Sequence, residues 1–174
     1  MNIARAGRRK LTIQRYLPDI VYGANDGIVT TLVVIASVTG AAMPPAAILV
    51  LGFANLIADG FSMGTSNVLS IRSALTAATR PRLRDASRNG IATFVAFVLS
   101  GLVPLSIYVV PLSAAARFPT ACALAGATLF GIGACRSLFS DQSWIKAGLE
   151  MLALGALAST VAYVIGALAA AVVS

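Results

Sequence analysis

Five long apolar stretches, separated by prolines and short basic runs, decide what this chain can fold into. They lie at about 26–43, 46–71, 90–110, 119–139 and 147–173. A helix needs about 20 apolar residues to cross a hydrocarbon core of about 30 Å, and each stretch comes near or passes that length. Inside lipid the backbone has to satisfy its own polar groups, and a helix does so within one segment. The reading is an all-α integral membrane protein with five transmembrane helices. Composition closes the soluble alternative: 58% of the 174 residues are hydrophobic and 11% are charged, against about 25% charged in a soluble domain.

The basic residues are not spread evenly. The segment before the first span holds Arg5, Arg8, Arg9, Lys10 and Arg15. Arg72, Arg80, Arg82, Arg84 and Arg88 follow the second span, and Arg136 and Lys146 follow the fourth. The other side carries only Arg117. Basic loops stay in the cytosol, so the N-terminus is expected there and the C-terminus outside. The net charge of +7 is thus a matter of membrane orientation, and nucleic acid is not an expected partner. Residues 1–20 read as a basic cytosolic segment, retained rather than cleaved, ahead of a transmembrane domain over 21–174. Pro18 is expected to break any helix there, with Asp19 capping a short amphipathic segment beyond it. Pro104 is expected to kink the third span, and Pro119 to precede the fourth. Asp141 in the last connection is a candidate cap and otherwise reads as solvated.

The second span contains the run Asn55-Leu-Ile-Ala-Asp-Gly-Phe-Ser-Met-Gly-Thr-Ser-Asn67. An ionisable group at membrane depth is costly, by about 2.5–3.5 kcal/mol on insertion scales, and it marks a functional site by default. At helical spacing Asn55, Asp59, Met63 and Asn67 share one stripe, with Ser62 and Ser66 beside it. Its oxygens suit hard or borderline divalent cations, and the thioether adds a preference for softer transition metals. The plainer reading is a polar seam whose hydrogen bonds join helices. Asp26 opens the first span, with Thr30 one turn on; it reads equally as an N-cap or as a second carboxylate of a cation path. Glu150, at the start of the fifth span, reads first as a snorkelling surface acid and second as part of a cytosolic entrance. Asp85 falls in a loop and reads as solvated.

Hydrolytic and redox chemistry have no footing. The chain has no His, no phosphate-binding Gly-rich loop and no cofactor fingerprint, and Cys122 and Cys135 suggest no disulfide framework. It is read as a non-enzyme without a resident cofactor. Buried carboxylates that exchange protons for cations would couple Asp26 and Asp59 to outward metal flow. The two Gly-x-x-x-Gly patterns, Gly23–Gly27 and Gly60–Gly64, permit close helix approach but arise easily by chance.

Four runs resemble the vacuolar iron transporter family: Tyr22-Gly-Ala-Asn-Asp-Gly-Ile-Val-Thr-Thr31, Leu51 through Gly64, Ala92 through Pro104, and Gly155 through Gly166. The short Arg-rich connection over 72–89 matches the shorter, nodulin-21-like branch, which lacks a cytosolic metal-binding domain. The resemblance implies a five-helix protomer in a homodimer, with a path lined by the first helices. It implies export of Fe²⁺, and often Mn²⁺, from the cytosol in exchange for protons. It maps the path onto Asp26 and Met63, and Asp59 onto an acid seen in many bacterial-type members. Where the family motif often carries Glu, this chain has Asn67. The expectation is a divalent-metal exporter in a bacterial inner membrane. A passive cation channel and a non-transporting scaffold with a polar packing seam are the alternatives.

Overall fold

Pro44 and Pro45 lack amide hydrogens and push the residues before them toward extended backbone, so a helix arriving from Gly40 has to stop. In the computed structural model, which describes residues 3–73, 83–137 and 142–173 with side chains from residue 16 onward, it does. Helix α1 spans Ile3–Gly40 and α2 spans Pro45–Ser73. The turn between them is a Schellman closure, with the Met43 amide on the Val38 carbonyl at 3.1 Å and the Ala42 amide on Thr39 at 3.0 Å. Ala42 takes the left-handed position of that motif at φ 53°, where glycine is usual. Helices α3 (Leu83–Leu105), α4 (Ala114–Arg136) and α5 (Trp144–Val173) follow, with one 3₁₀ turn at Ser106–Tyr108. Each of the five helices has a segment long and apolar enough to cross a membrane, and no strand occurs among the described residues.

The spans begin earlier than the hydropathy reading puts them. Helix α1 runs unbroken through Pro18, and its membrane-length segment is Tyr16–Gly40. A proline removes one backbone hydrogen bond, which a long helix packed against neighbours tolerates. Likewise α3 starts at Leu83, so Arg84, Asp85 and Arg88 lie on its first turns and not in a loop. Arginine stems are apolar enough to extend a helix while their heads reach the interface. Pro119 sits inside α4, and Pro104 sits just before the end of α3, where the chain tightens into the 3₁₀ turn. Asp141 lies outside the described residues.

Helix α1 touches all four other helices, and its firmest partner is α3. The reason is local. A Cβ on Gly23 would lie 2.5 Å from the Thr93 carbonyl oxygen, and one on Gly27 would strike the Phe97 carbonyl. The Ser100 hydroxyl donates to the Ala24 carbonyl at 2.8 Å, inside the seam. Helix α2 leans on the same α3 from another side, where a Cβ on Gly64 would come within 2.8 Å of the Gly90 carbonyl oxygen. Both Gly-x-x-x-Gly patterns are therefore used, and both face α3. Around them Ile28, Ile35, Leu56, Phe97, Leu105 and Leu129 are fully buried. The outer faces of α2 and α5 are apolar and exposed, as lipid requires: Phe61, Leu69, Leu154, Leu157 and Leu168 all point away from the bundle.

Candidate functional site

Helix α2 divides into adjacent stripes. Gly52, Leu56, Gly60 and Gly64 are buried. One position round, Asn55, Asp59, Met63 and Asn67 are all half-buried. These four face the groove between α1 and α2. Toward the N-terminal half of α1, Met63 and Asn67 line a cavity of about 540 Å³ with Pro18, Asp19 and Tyr22. Ser62 and Ser66 line the same cavity but are exposed. At the other end Asn55 lines a cavity of about 400 Å³ with Val34, Ser37 and Val38 of α1. Between the two, Asp59 lies close enough to Asp26 of α1 for their charges to interact. Neither carboxylate has a hydrogen-bond donor among the described residues.

The arrangement sorts the residues the sequence singled out. Asp26, Asp59, Met63, Asn55 and Asn67 meet along one groove. Thr30 does not offer its hydroxyl hydrogen there, because it donates back to the Asp26 carbonyl at 2.7 Å. Glu150 stands apart, in the second turn of α5, and pairs with Arg136 at the end of α4 (3.7 Å). Arg136 lines a third cavity, of about 370 Å³, with Val21, Tyr22, Asn25 and Met151. Pro18 and Tyr22 line both this cavity and the one against α2, so the two adjoin along α1.

Asp19 has a role that the sequence did not reveal. The Asn67 amide donates to one of its carboxylate oxygens at 2.9 Å, and the Asn89 amide donates to the other at 2.6 Å. Asn67 also donates to the Thr93 hydroxyl at 2.6 Å, and Thr93 donates to the Asn89 carbonyl at 3.1 Å. This network ties α1, α2 and α3 together at one end. Expecting a break at Pro18 turned Asp19 into a local cap, and nothing in the local pattern at Asn89 pointed 70 residues back. The one available signal was the spacing of Asn89 and Thr93, which puts two polar groups on one helical face.

Chemically the groove offers two unpaired carboxylates, amide oxygens and a thioether. Among the described residues no three His, Cys, Asp or Glu side chains come together. A cation held between Asp26 and Asp59 would have those two as its charged ligands from one chain, since Asp19 is already hydrogen-bonded to Asn67 and Asn89, a set suited to passing contact more than to permanent coordination.

A family model described as the VIT family matches residues 17–87 and 71–167. The chain belongs to the VIT family. Vacuolar iron transporter homolog 2 of Oryza sativa subsp. japonica is 27% identical over 170 residues, covering 87% of this chain and 89% of that protein. The vacuolar iron transporter of Plasmodium berghei (strain Anka) is 36% identical over 55 residues, 32% of this chain and 20% of that protein. That of Toxoplasma gondii (strain ATCC 50861 / VEG) is 37% identical over 59 residues, 34% of this chain and 20% of that protein. The resemblance read from the four runs is borne out, and so is the short form, since the rice protein is matched over nearly its whole length. These relatives are named as transporters, in keeping with the reading of this VIT-family chain as a non-enzyme.

Proposed function

We propose that this chain exports Fe²⁺, with Mn²⁺ as a second cargo, from the cytosol in exchange for protons, working as a homodimer. The observation that carries the proposal is the facing of Asp26 and Asp59 across the α1–α2 groove, with cavities to either side of them along the helix axes. Two like charges that face one another across a half-buried groove repel, and either a cation or protons relieve the repulsion. The two occupants exclude one another, which is what exchange requires. Met63 supplies a soft ligand one turn from Asp59, and Asn55 and Asn67 supply neutral oxygens along the route. The names of the relatives support iron as cargo.

In this reading the basic ends lie in the cytosol, the metal leaves that side, and the Ala-rich composition is taken for a bacterial inner membrane. Glu150, beside Arg136, is placed at the cytosolic entrance in this reading. A scaffold reading draws on a different observation, the hydrogen bonds that join three helices through Asp19. Uptake of Fe²⁺ and Mn²⁺ into proteoliposomes, with and without an imposed pH gradient, decides between them. Saturable uptake driven by the gradient and lost in Asp26→Asn and Asp59→Asn is the expected result. Flux down the metal gradient alone would make the protein a channel, and no flux from folded wild type would leave the scaffold.

A further inference from the structure

A second groove, of about 740 Å³, runs between α1 and α3 on the outer surface, away from the carboxylates. Its floor is a single stripe of α3. Ile91, Val95 and Leu99 follow at helical spacing and are 61%, 43% and 61% exposed. Ile20 and Tyr16 wall it from α1. The same stripe continues toward the start of α3 as Arg88 and then Arg84, both exposed. Neither arginine forms an ion pair with a described acid, and Asp85 beside them takes no part in one; the salt bridge found among the described residues is Arg136–Glu150. Two uncompensated guanidinium groups thus stand at the mouth of an open apolar channel.

We propose that this groove binds an anionic phospholipid, with one acyl chain along Ile91, Val95 and Leu99 and the headgroup phosphate held by Arg84 and Arg88. The dimensions fit. From Arg88 to Leu99 the helix rises about 16 Å at 1.5 Å per residue, close to half of a hydrocarbon core of about 30 Å. One leaflet's chain therefore fills the groove from headgroup depth to the bilayer centre. Guanidinium is the matching group for a phosphate, through paired N–H donors in a planar fork. Basic sites beside apolar channels between helices take anionic lipid headgroups by this combination of charge and shape. The small side chains of Ala92 and Ala96, which also line the groove, leave room that a larger residue would occupy. This site is independent of metal movement and stands whether or not the chain transports.

The test uses the full chain in detergent, with native mass spectrometry after incubation with phosphatidylglycerol or phosphatidylcholine. Wild type is expected to retain phosphatidylglycerol about 30-fold better, as two arginines near a surface provide. Arg84→Gln/Arg88→Gln is expected to bring the two lipids within about twofold, with an unchanged melting temperature because both side chains are exposed. Ala96→Trp, which fills the groove, is expected to lose both lipids, while Lys146→Gln, on α5, changes neither. Absence of preference in wild type, or a preference that survives in the double variant, overturns the proposal. So does an equal loss in Lys146→Gln, which would make the effect one of net charge. An Ala96→Trp protein that keeps its lipid but changes oligomeric state overturns it in favour of a second copy of the chain on this face.

Discussion

The α1–α3 seam and the α1–α2 groove run along the same helix and share a third, yet they are built on opposite plans. In the seam, Gly23 and Gly27 bring backbone against backbone, and the polar side chain reaching across beside them, Ser100, is bonded to a carbonyl. No ion could enter it. In the groove, the stripe of α2 that faces α1 is half-buried, mostly polar and in part unpaired, and cavities remain. Helix α2 tolerates that looseness because its buried stripe rests on α3 instead. The carboxylates of α1 and α2 are thus held in register by a helix that contributes neither. Rigidity and access have been assigned to different surfaces of the same two elements.

The comparison breaks most completely at Gly27. Gly27→Leu drives a branched side chain into the Phe97 backbone, which has nowhere to move, and is expected to cost about 3 kcal/mol or more. The result should be loss of a monodisperse peak in size exclusion, with no folded remnant to melt. The groove should respond in the opposite way. Asp26→Asn is expected to leave the melting temperature unchanged or slightly raised, because it removes a like charge facing Asp59. Metal flux should fall by at least about tenfold, since even outer partners of metal ligands are worth about 10–100-fold. An Asp26→Asn protein that melts early yet transports normally would reverse the assignment of the two surfaces.

A finer test lies where the seam and groove meet. Asn67→Ala leaves Asp19 with Asn89 as its remaining amide donor and is expected to cost about 1 kcal/mol by thermal unfolding in detergent. Asn67→Asp should cost more, because it sets a second carboxylate against the first. Smallest of all is the turn that closes the far end of the groove. Ala42→Gly relieves a left-handed alanine and is expected to raise stability by about 0.5–1 kcal/mol without altering flux.

Much of this was legible in the sequence because membrane spans and helical stripes are short-range patterns. The Asn55–Asp59–Met63–Asn67 stripe needed only a repeat of four, and it faces α1 throughout. The number of spans followed from hydropathy alone. Their limits did not, because charge was taken as the end of a helix; in α3 the arginines are carried on the helix itself. The Asp19 network was hidden for a different reason. It joins residues 48 and 70 positions apart, and no local pattern encodes which distant face a side chain will meet. The Gly-x-x-x-Gly patterns lay between these extremes: the residues were visible, but their common partner on α3 was not.

The order in which the helices enclose α1 bears on how the bundle is made. Helix α1 leaves the ribosome first and is covered last, since α5 completes its enclosure, with Gly166 of α5 set against the Ser37 carbonyl and Gly40 of α1 against that of Tyr163. Until α5 is inserted, the Gly40 end of α1 lacks that partner. Biosynthesis therefore carries its own checkpoint: a chain stopped before Trp144 has made every candidate ligand of the groove, yet still lacks the helix that packs against the Gly40 end of α1.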